Sequence, residues 1–401
     1  MFGIATHLKL VGVFLFILAA DIVLSLDPIP VVTESTVMQL RSLVLNQFRN
    51  LSTWQHEFGQ TTIIHGLNGA GKTSILEALM LTSLGTSFRA NKIEEVIRLG
   101  QELARIQVTF LDDEEDSTTL ELLVTRGEVQ GKRTQSRLYA VNGVRRRKRD
   151  FVGQLAAVVF RPEDMRLIEG SPSRRRNFLD VALSMVDWQY AQALSVYDKT
   201  LKHRNRLLSQ VAERKQSKAS LTFWNTSLVK HGEYLQLRRQ ELINFLQTIG
   251  FRFTLRVQYL PSLISEERLA EYIDREIMVG HSLIGPHKDD FLVQFPGERL
   301  QAGLEDWLNI ALYGSRGQQR LAVLWLKLGE LEFVRARLQQ QPLLLLDDIL
   351  SELDVESRSI VLELLETYQT VVTTADGESL RELSTQLPQA TVIAMDEQSV
   401  P

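Results

Sequence analysis

Between Thr61 and Leu84 the chain carries the one segment whose geometry its letters nearly fix. An apolar run ending in Ile63 and Ile64 is followed by Gly66, Leu67, Asn68, Gly69, Ala70, Gly71, Lys72 and Thr73, then by the helical pattern Ser74–Leu84. This is G-x-x-x-x-G-K-[ST] in the setting it requires, a strand before and a helix after. The glycines let backbone N–H groups close around phosphate oxygens, and the helix N-terminus adds partial positive charge. Lys72 can reach the β- and γ-phosphates of a nucleotide, and the Thr73 hydroxyl can ligate Mg2+. A Gly-rich strand-to-helix turn without a ligand is the plainer reading. It needs four defined positions to match by accident, with odds on the order of one in a hundred.

The second half of such a site lies far downstream. Leu343–Leu346 is a continuous apolar run, which suits a buried parallel strand, and it ends in Asp347 and Asp348. At that end Asp347 can hold Mg2+, directly or through water, and Asp348 can orient or activate an attacking water. A helix N-cap after a buried strand is the alternative for this pair. A GTP site would carry an N-K-x-D base reader. The nearest string, Asn91–Glu94, lacks the Asp, which favours ATP.

Between the two halves, Leu312–Arg320 places Gly314, Ser315 and Gly317 ahead of the helical pattern Leu321–Leu338. Small residues before a helix start suit a phosphate contact, yet the first cradle is already complete. One pocket does not easily take two helix N-termini from opposite sides. The economical arrangement is a homodimer, in which this segment caps the γ-phosphate held by the other subunit. A simple Gly-rich cap is the alternative.

Composition narrows the field. A chain of 401 residues exceeds one compact core, so two domains are expected. With 44% apolar and 23% charged residues it is neither collagenous, disordered nor a polytopic membrane chain. The absence of cysteine excludes disulfides and thiolate metal sites, and the seven histidines show no ligand-like pairing. The net charge of −4 hides an asymmetry: Arg126–Lys218 holds 21 Lys and Arg against 9 Asp and Glu. Within it lie Lys132, Arg133 and Arg137, the run Arg145–Arg149 after the hairpin signal Asn142-Gly143, Arg174–Arg176, and Lys199–Arg206. A solvated face is the alternative for any single cluster. Together they point to DNA phosphates, bound with little sequence preference and strong salt dependence.

Two further patterns concern organisation. Ser171 reads as an N-cap with Pro172 at the first helical position, and apolar residues recur at helical spacing from Phe178 to Leu201. With a second pattern over Leu221–Ile249, this predicts a pair of ~30–40-residue helices reaching ~45–60 Å. At the start, Leu8–Leu26 is nearly all apolar, broken by Lys9 and Asp21. It fits an export signal, a membrane anchor, or upstream sequence translated from an early start codon. The last is favoured, because Met38 stands directly before the strand-like Gln39–Leu45 and the machinery downstream needs MgATP.

The order of these segments resembles the ATPase heads of the ABC/SMC class. Finer strings are similar to the RecF family of bacterial recombination-repair proteins: Gln47–Asn50, Phe160–Asp164, Ser171–Arg176, Gly285–Asp290 and Tyr313–Arg320. The likeness runs from Met38 to about Met395. It implies an α/β fold, a P-loop NTPase head of ABC/SMC type (38–170 and 281–401) with a helical arm inserted at 171–280 and an apolar extension at 1–37. It implies a cytoplasmic protein of DNA repair, replication and the SOS response, with ATP and Mg2+ as cofactors and no stable membrane association. Such a protein would be a weak, DNA-stimulated ATPase that dimerises on ATP and uses hydrolysis as a switch. It would bind double-stranded DNA near single-strand gaps, contact single-stranded DNA, and work with RecO and RecR to load RecA.

By position, the resemblance makes Gly66–Thr73 the Walker A loop and Asp347 the Walker B magnesium ligand. Asp348 becomes the hydrolytic base where many relatives carry Glu, and its shorter reach suits slow hydrolysis. Ser315 and Gly317 become the signature contacts made in trans, and Ser351–Asp354 the loop crossing the dimer interface. Thr373 and Thr374 take the place of the switch histidine, and no glutamine stands at the Q-loop position near Val159–Asp164. His287 with Asp289 and Asp290 reads as a hydrogen-bonded structural corner rather than a metal site. The rival reading is the ATPase subunit of a membrane ABC transporter, which Tyr313–Gln319 fits poorly.

Overall fold

The computed structural model describes residues 36–297 and 307–395. Leu8–Leu26 lies outside the described residues, and so does the choice among its three readings. In chain order, β1 (Gln39–Phe48) and β2 (Leu51–Glu57) form a hairpin turned at Arg49 and Asn50. β3 (Thr61–His65) leads through the phosphate loop into α1 (Lys72–Leu84). β4 (Leu103–Leu111), β5 (Ser117–Thr125), β6 (Arg137–Val141) and β7 (Val144–Arg146) complete a six-stranded antiparallel sheet of order β2-β1-β4-β5-β6-β7. Along β4, buried residues alternate with more open ones, the period of two that a sheet with one covered face imposes.

β8 (Ala157–Phe160) precedes the helices α2 (Pro172–Val186), α3 (Trp188–Ala212) and α4 (Thr222–Leu246). Then come β9 (Arg256–Leu260), α5 (Glu266–Val279), β10 (Asp290–Pro296) and β11 (Trp307–Asn309). α6 (Arg316–Leu338), β12 (Leu343–Asp347), α7 (Val355–Thr367), β13 (Thr370–Thr374), α8 (Gly377–Gln386) and β14 (Thr391–Ala394) follow. The second sheet is parallel throughout, in the order β8-β12-β13-β3-β14. β12 and β13 are buried along their whole length, which explains the unbroken apolar run at Leu343–Leu346.

The register decides the chemistry. Asp347 pairs with Thr373, and Thr374 pairs with His65, so the carboxyl ends of β12, β13 and β3 lie side by side. Ligands bind outside those ends in sheets of this kind. α1 packs against strands of both sheets, and every residue in it except Thr73 is buried. A helix covered on all sides belongs to the core, so the phosphate loop is anchored from behind.

The helical segment is shorter than its periodicity predicts. α2 stops at Val186 because Asp187 leaves helical geometry and caps α3, accepting from Tyr190 N at 3.0 Å. The packed pair α3 and α4 is then 25 residues each, about 37 Å at 1.5 Å per residue. β9, inside the range read as the arm, pairs with β10 in a three-stranded sheet, Tyr259 opposite Phe291.

The Gly285–Asp290 corner closes this junction with hydrogen bonds. The fully buried Asp289 accepts from Arg239 Nη1, Gln236 Nε2 and Ser262 N, each at 2.8 Å, and from the Tyr259 hydroxyl. Asp290 holds Arg175 through two bonds of 2.6 and 2.9 Å. The His287 ring lies between the Tyr197 hydroxyl (2.8 Å) and the Ser282 carbonyl (3.1 Å), and burial pushes its pKa down to about 4. Among the described residues no group of His, Asp or Glu is arranged to hold a metal ion.

Candidate nucleotide site

Close approach of neighbouring atoms accounts for two of the loop glycines. A Cβ on Gly66 would stand 2.7 Å from the Met395 carbonyl oxygen. One on Gly71, whose φ is +108°, would stand 2.9 Å from Leu51 Cδ2 and 3.0 Å from Asn50 Oδ1. The β1–β2 turn therefore presses directly on the loop, and Asn50 Nδ2 donates to the Gly69 carbonyl at 2.9 Å. Gly71 caps α1 with no side-chain hydrogen bond to the first turn. The N–H groups at this helix start thus have no competing side-chain acceptor, the arrangement that accepts a phosphate.

Lys72 is nearly buried and folds back, donating to the carbonyls of Gly66 (2.6 Å) and Leu67 (3.0 Å). Burial lowers its pKa, while the charges of Asp348 and Asp347 oppose that shift. Thr73 Oγ1 donates to Asp347 Oδ1 at 2.9 Å, and Thr373 Oγ1 donates to the same oxygen at 3.0 Å. Burial raises the Asp347 pKa; the two hydroxyls lower it, and the charges of Glu163 and Asp348 add to the rise. A threonine hydroxyl beside a carboxylate is a hard oxygen donor set, and it fits Mg2+. Asp348 follows with φ +52°, an uncommon backbone state for a residue with a side chain. Its N–H is fixed by the carbonyl and the hydroxyl of Thr373, both at 3.1 Å.

These groups line one cavity of ≈ 660 Å³, running from Asp347 and Asp348 along the phosphate loop. That is a size suited to a nucleotide. Arg49, Arg89 and Arg126 line it as well and bring positive charge. In the sequence Arg49 stands out only within the string Gln47–Asn50 and Arg126 only as the edge of the basic segment, and Arg89 does not stand out at all, because their partners are distant in the chain. The available signal is Glu77, the one carboxylate in the helical run Lys72–Leu84, which is seldom buried without a cation.

Ser315 and Gly317 do not line this cavity. Ser315 caps α6 reciprocally with Gln318 (Ser315 N to Oε1 2.8 Å, Gln318 N to Oγ 3.3 Å) and is exposed. The Ser351–Asp354 turn follows Asp348, with Ser351 Oγ donating to the Asp348 carbonyl at 3.0 Å. Asp354 caps α7 through Ser357 N, which lowers its pKa. Thr373 touches Asp347; Thr374 instead bonds within its own turn, to Asp376.

The basic clusters divide. Arg145, Arg146, Arg147, Arg149, Lys132 and Arg133 are exposed. Others are engaged inside the fold and do not face solvent as a phosphate-binding surface requires. Arg175 binds Asp290, Arg176 donates to the Asp289 carbonyl (2.8 Å), and Arg137 donates to the Gly85 carbonyl (2.8 Å). Arg204 is fully buried against Glu276 at 2.6 Å.

Known proteins match this chain over most of its length. The family model for the RecF/RecN/SMC N terminal domain covers residues 39–397. The DNA replication and repair protein RecF of Agathobacter rectalis is 33% identical over 350 residues, spanning 84% of this chain and 92% of that one. The protein of the same name from Thermomicrobium roseum is 35% identical over 393 residues, spanning 86% and 95%. A solved structure of the recombination mediator protein RecF-ATPrS in the RecFOR pathway superposes with a TM-score of 0.73 at 29% identity, covering 86% of this chain and 94% of that one. The corresponding RecF-ATP structure gives 0.70 at 29% identity, covering 84% and 92%.

Proposed function

The chain belongs to the RecF family of DNA replication and repair proteins, ATPases of the ABC/SMC class, and from that premise we propose that ATP joins two copies of it into a clamp on DNA. The family assignment displaces the transporter-subunit reading. Each nucleotide would lie between the phosphate loop of one copy and Ser315 and Gly317 of the other.

The observation that carries this reading is the separation of Ser315 and Gly317 from the cavity that holds Lys72, Thr73, Asp347 and Asp348. Gly317 sits in the first turn of α6, two residues after the Ser315 cap. Among the described residues nothing requires it: a Cβ there would meet only Asp354 Oδ2 at 3.8 Å and Ser315 Oγ at 4.0 Å. In the proposed arrangement that space would receive the other copy's nucleotide. Around it, Leu312 (73% exposed), Tyr313 (65%) and Val355 (88%) form apolar surface that a second copy would cover.

In the joined state Lys72 would leave the Gly66 and Leu67 carbonyls for the β- and γ-phosphates. The Thr73 hydroxyl and the Asp347 carboxylate would hold Mg2+, which supplies neutralisation of phosphate charge. Thr373 keeps Asp347 in place. Asp348 would orient the attacking water and take its proton. Ser315 and Gly317 of the second copy would donate to the γ-phosphate, so hydrolysis removes the group that joins the copies. The exposed arginines at β7 would bind duplex phosphates near a single-strand gap, and RecO and RecR would act with the clamp in loading recombinase.

Light scattering of the purified protein tests this. With ATP and duplex DNA the mass should double, and with ADP it should return to that of one chain. A monomer at saturating ATP and DNA would sink the reading.

A further inference from the structure

α1 buries one carboxylate, and it serves the nucleotide cavity rather than the core. Glu77 is fully buried five residues after Lys72. Its two oxygens accept from Arg49: Nε to Oε2 at 2.8 Å and Nη2 to Oε1 at 2.5 Å. The Ser87 hydroxyl donates to Oε1, and Arg89 Nη1 approaches Oε2 at 3.8 Å. Arg49 sits at the β1–β2 turn with φ +54°, and Arg49 Nη1 also donates to the Glu95 carbonyl at 2.8 Å. Ser87 in turn accepts from the N–H groups of Arg89 (2.9 Å) and Ala90 (2.8 Å), which shapes the segment after α1. A single buried anion thus gathers two chain segments, and each contributes an arginine to the wall of the cavity.

We propose that Glu77 is a positioning residue for the nucleotide site: it presents Arg49, held at two points, and Arg89, held loosely, to the phosphates bound at Gly66–Thr73. This rests on the nucleotide reading above. The charges support it. One carboxylate faces two guanidinium groups, so this cluster carries one net positive charge into a wall that also holds Glu94 and Glu95. Arg89 is 45% exposed and, among the described residues, its guanidinium makes only the 3.8 Å contact to Glu77, so it can turn toward an arriving polyphosphate at little cost. Arg49 is 20% exposed and cannot leave without stranding a buried carboxylate.

The test is a double-mutant cycle on ATP affinity, with fluorescent ATP as probe, using Glu77→Gln, Arg49→Met and the pair. Wild-type affinity reports on the phosphate-loop reading alone. The ratio of variant to wild type reports on Glu77. Glutamine keeps the shape but turns an amide toward the arginine donors, so affinity should fall about tenfold, the scale of one charge-assisted hydrogen bond. Because Arg49 is the tightly held partner, most of the Glu77→Gln loss should vanish in the Arg49→Met background, leaving only the share carried by Arg89, whatever happens to the melting temperature. Losses that multiply, or unchanged affinity in Glu77→Gln, overturn the proposal. Should Glu77→Gln not fold, Arg89→Met serves at the exposed end of the same contact. It should bind ATP several-fold more weakly with an unchanged melting temperature; unchanged affinity there also overturns it.

Discussion

Thr73 donates its hydroxyl to Asp347 Oδ1 at 2.9 Å, closing 274 residues of chain in one hydrogen bond. The phosphate loop thereby meets the carboxylate strand directly. What makes the contact is the strand order, which sets β13 between β12 and β3. Thr373, on that middle strand, donates to the same oxygen and fixes the carboxylate from the other side.

The neighbouring Asp348 allows chemistry to be separated from backbone strain. Its φ of +52° is a state that Asp and Asn tolerate better than other side chains. Asp348→Asn should therefore keep the melting temperature, while phosphate release falls by about 100-fold or more, the range for losing a general base. Asp348→Ala should lose the same activity and in addition about 1 kcal/mol of stability from the strained backbone. Phosphate release with DNA present, alongside thermal melts, separates the two effects. An Asp348→Asn protein turning over at the wild-type rate would remove Asp348 from the mechanism.

Trans completion of the site makes a second prediction, read by mixing. Lys72→Ala spoils the phosphate loop and Ser315→Arg spoils the facing contact, so each variant alone should be inactive. A mixed dimer recovers one site with both halves intact. Equal amounts should then restore roughly a quarter of the wild-type ATPase, since half the dimers are mixed and each carries one good site. An inactive mixture in which the variants still associate would place Ser315 in cis or outside the site.

Much of this was legible because the motifs are local. A loop such as Gly66–Thr73 announces a strand, a turn and a helix within twenty-odd residues, and Leu343–Asp348 announces a buried strand with acids at its end. The arginines were not legible. Arg175, Arg176 and Arg204 read as part of a basic surface, yet their partners Asp290, Asp289 and Glu276 lie far along the chain. Charge counting cannot tell a free guanidinium from one paired inside. The arm was overestimated for a related reason: one capping contact at Asp187 divides a periodicity that otherwise runs on. Glu77 shows the opposite case, a helix-favouring residue whose role depends on a turn 28 residues earlier.

The junction corner predicts an acid sensitivity. Half-buried between Tyr197 and Ser282, His287 has its pKa pushed down by desolvation to about 4 from an ordinary value of 6.5. Below 6.5 the unfolded chain takes up a proton that the folded imidazole refuses, so stability falls as the pH drops from 6.5 toward 4 and levels off beneath. The full loss is about 3 kcal/mol at 1.36 kcal/mol per pKa unit. Glutamine cannot titrate and can bond to both neighbours. In urea denaturation at pH 7 and pH 4.5, His287→Gln should show a smaller difference than wild type by about 2 kcal/mol. Equal differences would mean that His287 is protonated in the folded state.

The division among the basic residues yields the last prediction. Arg145, Arg146, Arg147 and Arg149 project from the β6–β7 hairpin and the turn after it, while Lys148 is half-buried and its pKa is lowered by burial. Changing those four arginines to alanine and leaving Lys148 should weaken duplex binding. The slope of log affinity against log salt should become shallower by up to about 3–4, near 0.9 per released phosphate contact. Arg204→Ala is the opposing control. It strands Glu276, which is fully buried, and should cost about 3–5 kcal/mol of stability. Where that variant remains folded, its salt slope should match wild type, because Arg204 faces Glu276, Ser282 and Asn225 rather than solvent. Salt titrations of fluorescence anisotropy on a labelled duplex read both. An unchanged slope in the four-arginine variant would take the hairpin out of the DNA interface.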